Sequence, residues 1–254
     1  MKPIDSQDYL DKKAFFDKIL TIYGRNAVLE VLQDSTVEIH KLHLSSSNKP
    51  AKALTQMLSL AKERGIEVLH HDKQALSRIS KNAKQDQGVA LDIIMPYSGK
   101  LESFLAEHRA YRIIALDGIT NPQNLGMIIR SCAAGNIDAI LIPTKGNAQI
   151  SPLVIKASAG TLFKLPILKV PSLYRALQQT QEAGSALYTL DANASQEYHQ
   201  VVYSVCSVFV LGNESQGVSR EIGTLCDNSI SIPMRRGVES LNVAVTASLL
   251  AFMA

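Results

Sequence analysis

Apolar positions follow two spacings along this chain, one typical of helices and one typical of short buried strands. In the first part of the chain the two patterns alternate. They predict helices over residues 23–33, 51–64 and 73–79, and strands over residues 39–44, 66–70 and 89–95. Asp72 stands where its side chain can cap the third helix, and Pro96 is expected to stop the last strand. These elements predict a small α/β domain.

From Tyr111 onward the alternation of strands and helices becomes regular. It predicts strands over residues 112–116, 139–142, 164–170, 186–189, 205–211 and 229–233, and helices over 125–134, 151–157 and 173–183. A short helix is expected between the last two strands, and an apolar helix closes the chain. Strands alternating with helices predict a parallel sheet covered on both faces. Residues 97–110 form a predicted linker with a short amphipathic helix, and residues 1–20 a polar lead-in without an assigned function.

Composition narrows the class of protein only moderately. Hydrophobic residues make up 46% and charged residues 19% of 254 residues, which is ample for the core of a globular protein. The polar, acidic start does not resemble a secretory signal and the apolar runs are short, so we expect a cytoplasmic protein without a membrane segment. A net charge of +3 is compatible with RNA binding but does not by itself argue for it.

Cysteines and histidines do not predict a metal site. Cys132, Cys206 and Cys226 lack metal-ligand spacing and lie in apolar contexts, so we expect buried structural thiols. His70 and His71 end a predicted strand, and an exposed pair in a loop is expected there.

Several common catalytic motifs are missing. The sequence has no G-x-G-x-x-G turn opening a helix, no G-x-x-x-x-G-K-[ST] loop, no G-x-S-x-G elbow and no H-E-x-x-H helix. A Rossmann dinucleotide enzyme, a P-loop NTPase, an α/β-hydrolase and a zincin protease are therefore all disfavoured.

Polar residues collect instead at the predicted strand ends: Asn124, Arg130, Glu214, Ser240 and Asn242. Each has a plain structural alternative. Asn124 could cap the helix at Leu125, Arg130 could form an ion pair or face solvent, and Glu214 could be a surface charge. Ser240 or Asn242 could be the N-cap of the last helix. In an open α/β sheet, however, polar groups at the carboxyl ends of parallel strands indicate a ligand site.

Three stretches resemble the motifs of one family. D-x-x-T-N-P-Q-N-L-G-x-I-I-R-S (residues 117–131), L-G-N-E-S-Q-G (211–217) and I-P-M-x-x-x-V-E-S-L-N-V-A-V (232–245) look like those of SpoU-type (TrmH-like) RNA ribose 2′-O-methyltransferases of the SPOUT superfamily. Residues 21–96 resemble the small RNA-binding domain that often precedes the catalytic domain, here residues 111–254. Asn121 stands where such motifs commonly have Asp; because Asn also initiates turns before Pro, we expect no loss of function.

The resemblance implies a specific fold and cofactor. It implies a parallel sheet whose C-terminal segment forms a deep trefoil knot, and a homodimer. It also implies S-adenosylmethionine as methyl donor, with no metal. The residues it places around the cofactor are Thr189, Leu190, Leu211, Gly212, Asn213, Ile232, Met234 and Leu241. Backbone recognition of this kind needs glycine for close approach and apolar walls for adenine.

The resemblance also implies catalytic roles. Arg130 is the family's candidate for activating the ribose hydroxyl, with Asn124, Glu214, Ser240 and Asn242 completing the site. A guanidinium barely deprotonates in proteins. Binding the RNA phosphate and stabilising the developing alkoxide is therefore the easier role for Arg130. We expect Glu214 and Asn242 to orient the loop and Arg130.

The arrangement of a small domain before the catalytic domain looks most like bacterial 23S rRNA guanosine 2′-O-methyltransferases. A tRNA ribose methyltransferase is the nearest alternative, although such enzymes more often carry short basic extensions. A non-catalytic RNA-binding ribosome-assembly factor and a nucleotide-binding α/β protein without an RNA role are the alternatives from other classes. The intact polar set weighs against the first of these, and the small front domain against the second.

Overall fold

The computed structural model describes residues 15–16, 18–81, 86–95 and 100–253. The predicted lead-in up to residue 14 and the predicted strand stop at Pro96 lie outside the described residues. The chain divides into two compact units, residues 1–98 and 99–254. Within the described ranges, no helix has the length and apolar character needed to cross a membrane.

The first unit is built on a mixed sheet with the strand order β1-β4-β2-β3. β4 runs antiparallel to β1 and β2, and β2 runs parallel to β3. Its elements in chain order are β1 Ile19–Tyr23, α1 Arg25–Gln33, β2 Ile39–Ser45, α2 Lys52–Glu63, β3 Glu67–His71, α3 Lys73–Ser80 and β4 Val89–Ile94.

The first strand corrects the prediction at the start of this unit. Residues 19 and 20 were expected in the lead-in and Tyr23 in a helix, but all belong to β1. The run has no strict alternation, and it is recognisable as a strand only because β4 supplies its hydrogen-bonding partner. Gly24, at φ +89°, then turns the chain into α1.

Helices α1 and α2 bury their apolar stripes, which include Val28, Val31 and Met57. The cap predicted for α3 is confirmed, because the Asp72 side chain accepts a hydrogen bond from the Ala75 amide at 2.7 Å.

A polar network occupies part of the same sheet and corrects the prediction for His71. His71 lies in β3, and its Nε2 is 3.0 Å from Nδ1 of His43, whose Nε2 is 3.1 Å from Oδ2 of Asp92. Burial and the neighbouring His43 lower the pKa of His71. Burial raises the pKa of Asp92, but hydrogen bonds from His43 and Thr21 outweigh it and hold the pKa below its ordinary value. His70 is exposed, as predicted, but it also lies in β3 and not in a loop.

The second unit contains the predicted parallel sheet, with the order β10-β8-β9-β5-β6-β7. Its strands are β5 Tyr111–Leu116, β6 Ala139–Pro143, β7 Ile167–Val170, β8 Ala186–Leu190, β9 Cys206–Leu211 and β10 Asn228–Ile230. Its helices are α4 Leu101–Glu107, α5 Pro122–Ala134, α6 Pro152–Ser158, α7 Leu173–Glu182, α8 Arg220–Gly223 and α9 Val243–Ala251.

Two predicted strands are shorter than expected. β7 starts at Ile167 because Thr161–Lys164 forms a 3-10 turn. β10 ends at Ile230, after which the Ser231 amide donates to the carbonyl of Gln196. Local apolar patterns could not show either competing structure.

Strands β5 and β9 lie at the centre of this sheet and carry its most buried side chains, including Ile113, Ile114, Val208 and Phe209. They pair in register from Tyr111 with Cys206 to Leu116 with Leu211. Because the strands are parallel, the loops after Leu116 and Leu211 emerge side by side at one edge of the sheet.

The three cysteines are only partly as predicted. Cys132 is fully buried in α5, and burial raises the pKa of its thiol to about 12. Cys206 and Cys226 are only partly buried. Cys206 begins β9 at the end of the sheet, where its Sγ lies 3.3 Å from the Arg109 carbonyl.

Helices α5 and α6 approach closely at Gly126. A Cβ atom added there would lie 2.4 Å from Cβ of Ala157 and 2.7 Å from the Val154 carbonyl oxygen. The second neighbour is backbone, so a side chain at this position requires α6 to move.

We therefore expect Gly126→Ala to lower the free energy of unfolding by about 1–3 kcal/mol, the usual cost of overpacking. Gly223→Ala is the matched control, because an added Cβ meets nothing within 4 Å there. The control is expected to be neutral or slightly stabilising. Denaturant unfolding followed by circular dichroism measures both; equal stability of the two variants would contradict the close packing.

Candidate functional site

The loops that follow β5 and β9 are joined by hydrogen bonds. The Asp117 amide donates to the Leu211 carbonyl at 2.8 Å, and Nδ2 of Asn213 donates to the Gly118 carbonyl at 3.0 Å. Oδ2 of Asp117 accepts from the Ser219 amide at 2.7 Å. These hydrogen bonds therefore join the two loops at the carboxyl ends of the central strands.

Gly212 is required by the shape of the second loop. A Cβ atom there would lie 2.1 Å from the carbonyl carbon of Gly217 and 2.2 Å from the Val218 nitrogen. The loop is closed by two backbone hydrogen bonds, from Asn213 to Gly217 at 2.9 Å and from Gly217 to Asn213 at 2.8 Å. Gly217 has φ +68°, a conformation that L side chains rarely adopt.

Three of the predicted site residues meet in one hydrogen-bonded cluster. Oε1 of Glu214 accepts from Nδ2 of Asn124 at 2.6 Å and from Nδ2 of Asn242 at 2.9 Å. Nδ2 of Asn242 also donates to Oδ1 of Asn124 at 3.1 Å. Because hydrogen bonds to an ionised carboxylate are stronger than neutral ones, this cluster holds three separate chain segments together.

The structure shows which residues cap α5 and α9. Asn121, not Asn124, caps α5: its Oδ1 accepts from the Gln123 amide at 2.8 Å, and Pro122 follows at the first helical position. The cap interpretation of Asn124 was therefore wrong. Asn242 rather than Ser240 caps α9, with its Oδ1 accepting from the Ala244 amide at 2.8 Å.

Arg130 is not part of the cluster. It lies on the exposed side of α5 and forms neither a hydrogen bond nor an ion pair with the described part of the chain. The ion-pair alternative therefore does not hold among these residues, and the guanidinium is free to meet an anion. Exposed Met127 lies one turn before it on the same helix.

A cavity of about 190 Å³ adjoins the cluster. All the predicted cofactor residues except Thr189 line this cavity: Leu190, Leu211, Gly212, Asn213, Ile232, Met234 and Leu241. Glu214 and Ser240 line it as well. Thr189 lies within β8, where it pairs with Val210 and Ser229. Apolar walls with nearby backbone groups suit a flat heteroaromatic ligand.

Several residues of this site had no clear signal in the sequence. Asn147 is buried; its Oδ1 accepts from the Ile119 amide at 2.6 Å and its Nδ2 donates to the Leu116 carbonyl at 3.3 Å. It thereby fixes the loop after β5, but an Asn beside a glycine reads as an ordinary turn. Further cavity-lining residues that were not predicted as site residues are Asp191, Ala192, Val210, Val218, Glu239, Val243 and Thr246.

Among the described residues, no group of three or more His, Cys, Asp or Glu side chains is placed to hold a metal ion. The site offers a hydrogen-bonded polar cluster beside an apolar cavity, and Arg130 lies outside both.

Comparison with family models covers almost all of the described chain. The model described as the SpoU rRNA Methylase family matches residues 111–252. The model described as RNA 2'-O ribose methyltransferase substrate binding matches residues 21–98.

Relatives and solved structures agree with these matches. The chain is 34% identical over 231 residues to an uncharacterized tRNA/rRNA methyltransferase of Mycolicibacterium vanbaalenii, covering 89% of this chain and 73% of that protein. A similar protein of Mycobacterium avium is 33% identical over 230 residues, covering 89% and 74%.

The fold resembles that of the SpoU methyltransferase AviRb from Streptomyces viridochromogenes, solved in complex with AdoMet. The TM-score is 0.64 at 21% identity, over 97% of this chain and 91% of that chain. A putative RNA methyltransferase of the TrmH family from Porphyromonas gingivalis gives a TM-score of 0.65 at 21% identity, over 98% and 97%.

We expect Asn147→Ala to lower the free energy of unfolding by about 1–3 kcal/mol, because the Ile119 amide and the Leu116 carbonyl lose their buried partner. Asn193→Ala, in an exposed turn, is the control and is expected to change stability little. Thermal unfolding compares the two variants. Equal midpoints would mean that Asn147 does not hold the loop.

Proposed function

The chain belongs to the SpoU family of RNA methylases, and on this premise we propose that it transfers a methyl group from S-adenosylmethionine to a ribose 2′-hydroxyl of RNA. The observation that carries the proposal is the Asn124–Glu214–Asn242 cluster beside the apolar cavity. A polar cluster next to an apolar cavity suits a reaction between a bound cofactor and a polar nucleophile.

We propose that the cavity holds the adenosine part of the cofactor. Leu190, Leu211 and Met234 would provide apolar walls, and Gly212, which also lines the cavity, would offer backbone groups to the ligand. AviRb, which shares this fold, was solved with AdoMet bound. When bound, the cofactor supplies an electrophilic methyl group on a sulfonium centre.

The reaction requires the protein to align the 2′-oxygen with the methyl carbon and to stabilise the charge that develops on the oxygen. A new bond forms between the 2′-oxygen and the methyl carbon while the carbon–sulfur bond breaks, and the hydroxyl proton leaves to solvent or a base. Arg130 would bind the adjacent RNA phosphate and stabilise the developing alkoxide. Asn124, Glu214, Ser240 and Asn242 would orient the loops around the reacting atoms.

The chain path that builds this cavity is proposed to be a deep trefoil knot. The chain after β10 lies against the loop that follows β8, because Ser231 exchanges backbone hydrogen bonds of 2.8 Å with Gln196 and Tyr198. It then passes the cavity and enters α9, which packs on α5 where Gly135 leaves room for the Ala251 backbone. This path supports the threading that the family resemblance implies.

We further propose a homodimer. Apolar side chains of the second unit remain exposed, among them Val202 at 96%, Val205 at 70% and Phe252 at 62%. Val245 of α9 and Phe252, directly after that helix, also line a groove of about 520 Å³ with Tyr198 and Leu249. Exposed apolar surface of this kind is typical of an interface.

The proposed substrate is a guanosine of 23S rRNA, with a tRNA ribose as the alternative. Mapping of 2′-O-methyl groups in total RNA from a strain lacking this gene tests the function. One mark is expected to disappear from rRNA and to return when the gene is restored. Loss from tRNA would support the alternative, and an unchanged map in all RNA would favour the non-catalytic assembly factor.

We expect Arg130→Ala to reduce methyl transfer by at least about 100-fold, because one preorganised charge contact to the transition state is lost. Binding of S-adenosylmethionine, measured by calorimetry, is expected to be retained, since Arg130 does not line the cavity. Arg175→Ala removes an exposed Arg from α7 and serves as control. Loss of cofactor binding comparable to the loss of activity would overturn the role given to Arg130.

A further inference from the structure

A second cleft, of about 610 Å³, lies wholly within the first unit. Its walls come from the start of α1, the turn after β2, the start of α3 and the turn before β4. Most of the side chains around it are polar, in contrast to the cavity of the second unit: Arg25, Ser45, Ser47, Asn48, Lys73, Leu76, Asp86, Gln87 and Gly88. A polar cleft of this size can admit a hydrated, charged group.

The turn before β4 is held in an unusual conformation around this cleft. Gln87 has φ +52°, which non-glycine residues rarely adopt, and Gly88 has φ +77°. A Cβ atom at Gly88 would lie 2.0 Å from Oδ1 of Asn48, whose Nδ2 donates to the Gly88 carbonyl at 2.8 Å. Asp86 stabilises the turn by accepting from the Gly88 amide at 3.0 Å and from Ser80 Oγ at 3.0 Å.

Gln87 is thereby placed against Arg25. Oε1 of Gln87 accepts from the Arg25 amide at 3.0 Å, and its carbonyl accepts from Nε of Arg25 at 3.2 Å. Nη2 of Arg25 lies 3.4 Å from Oδ1 of Asn48. The guanidinium carries five N–H groups, so these contacts hold it in place and leave donors for a ligand.

The charges in the cleft favour an anion. Arg25 and Lys73 are both cationic, and neither forms an ion pair with a carboxylate in the described part of the chain. Asp86 is the acidic residue of the lining, and it is buried with both carboxylate oxygens engaged by Ser80 and Gly88. The Gln87 side-chain nitrogen adds a neutral donor that has no partner among the described residues.

We propose that this cleft binds a backbone phosphate of the RNA substrate. Arg, Lys, Ser, Asn and Gln side chains are the usual phosphate contacts of nucleic-acid-binding proteins, and a fixed guanidinium adds directional hydrogen bonds. The inference deepens the proposed function, since it rests on RNA being the substrate. It assigns to Arg25 and Lys73 the task of anchoring RNA through the first unit, separately from the chemistry in the second.

Lys73→Ala in the full chain is the main test. Lys73 is exposed, and its side chain has no partner among the described residues, so folding is expected to be unchanged. Lys62→Ala removes the same charge from the exposed end of α2, outside the cleft, and is the matched control. Arg25→Ala is a second variant, checked by thermal unfolding because Arg25 also holds the Gln87 turn.

Binding of a fluorescein-labelled oligouridylate of about 12 nucleotides is measured by anisotropy over a series of KCl concentrations. Lys73→Ala is expected to weaken binding about threefold to tenfold and to reduce the slope of log affinity against log salt by about one. In methyl transfer to total RNA, the KM for RNA is expected to rise while kcat and S-adenosylmethionine binding stay unchanged.

Failure of the phosphate-site inference and failure of the proposed function give different results. Wild-type affinity and salt slope in the Lys73→Ala variant, or an equal loss in Lys62→Ala, would overturn the cleft as a phosphate site even if the protein methylates RNA. Conversely, cleft-dependent RNA binding without any methyl transfer by the wild-type chain would leave this inference standing and remove the proposed function.

Discussion

The candidate site depends on the parallel pairing of β5 with β9. This pairing brings Leu116 beside Leu211, so the loops that leave the two strands emerge at one point although they are distant in sequence. Hydrogen bonds from Asp117 and Asn213 then lock the loops together. Without that register, Glu214 could not accept hydrogen bonds from the side chains of both Asn124 in α5 and Asn242 at the start of α9.

Most of the second unit follows from local pattern. Residues 208–211 are all apolar because both sheet faces are covered, and Ser172 caps the start of α7. Local pattern is not sufficient where a distant partner decides the structure. β1 is a strand because β4 lies beside it, and His71 is drawn into a network by His43, which belongs to a different strand.

The same distinction applies to the candidate site. Residue type and motif order were enough to select Asn124, Glu214 and Asn242 before their hydrogen bonds were known. Local sequence could not show that Arg130 stands outside that cluster, nor that Thr189 pairs within its strand without lining the cavity. Local sequence also gave no reason to select Asn147, whose side chain hydrogen-bonds to two backbone groups at and just after the end of β5. Residues that stabilise a loop from a distance carry no signature of their own.

Asn242 performs two tasks with the two ends of one amide. Its oxygen caps α9 and its nitrogen donates to Glu214. An aspartate would retain the cap but would place a second negative charge against Glu214, and a serine would be too short to reproduce both contacts. A substitution at this position therefore perturbs the start of α9 and the hydrogen-bonded cluster together. A loss of activity after substitution of Asn242 could come from a weakened start of α9 or from the lost hydrogen bond to Glu214. Only paired measurements of stability and kinetics can separate these two causes.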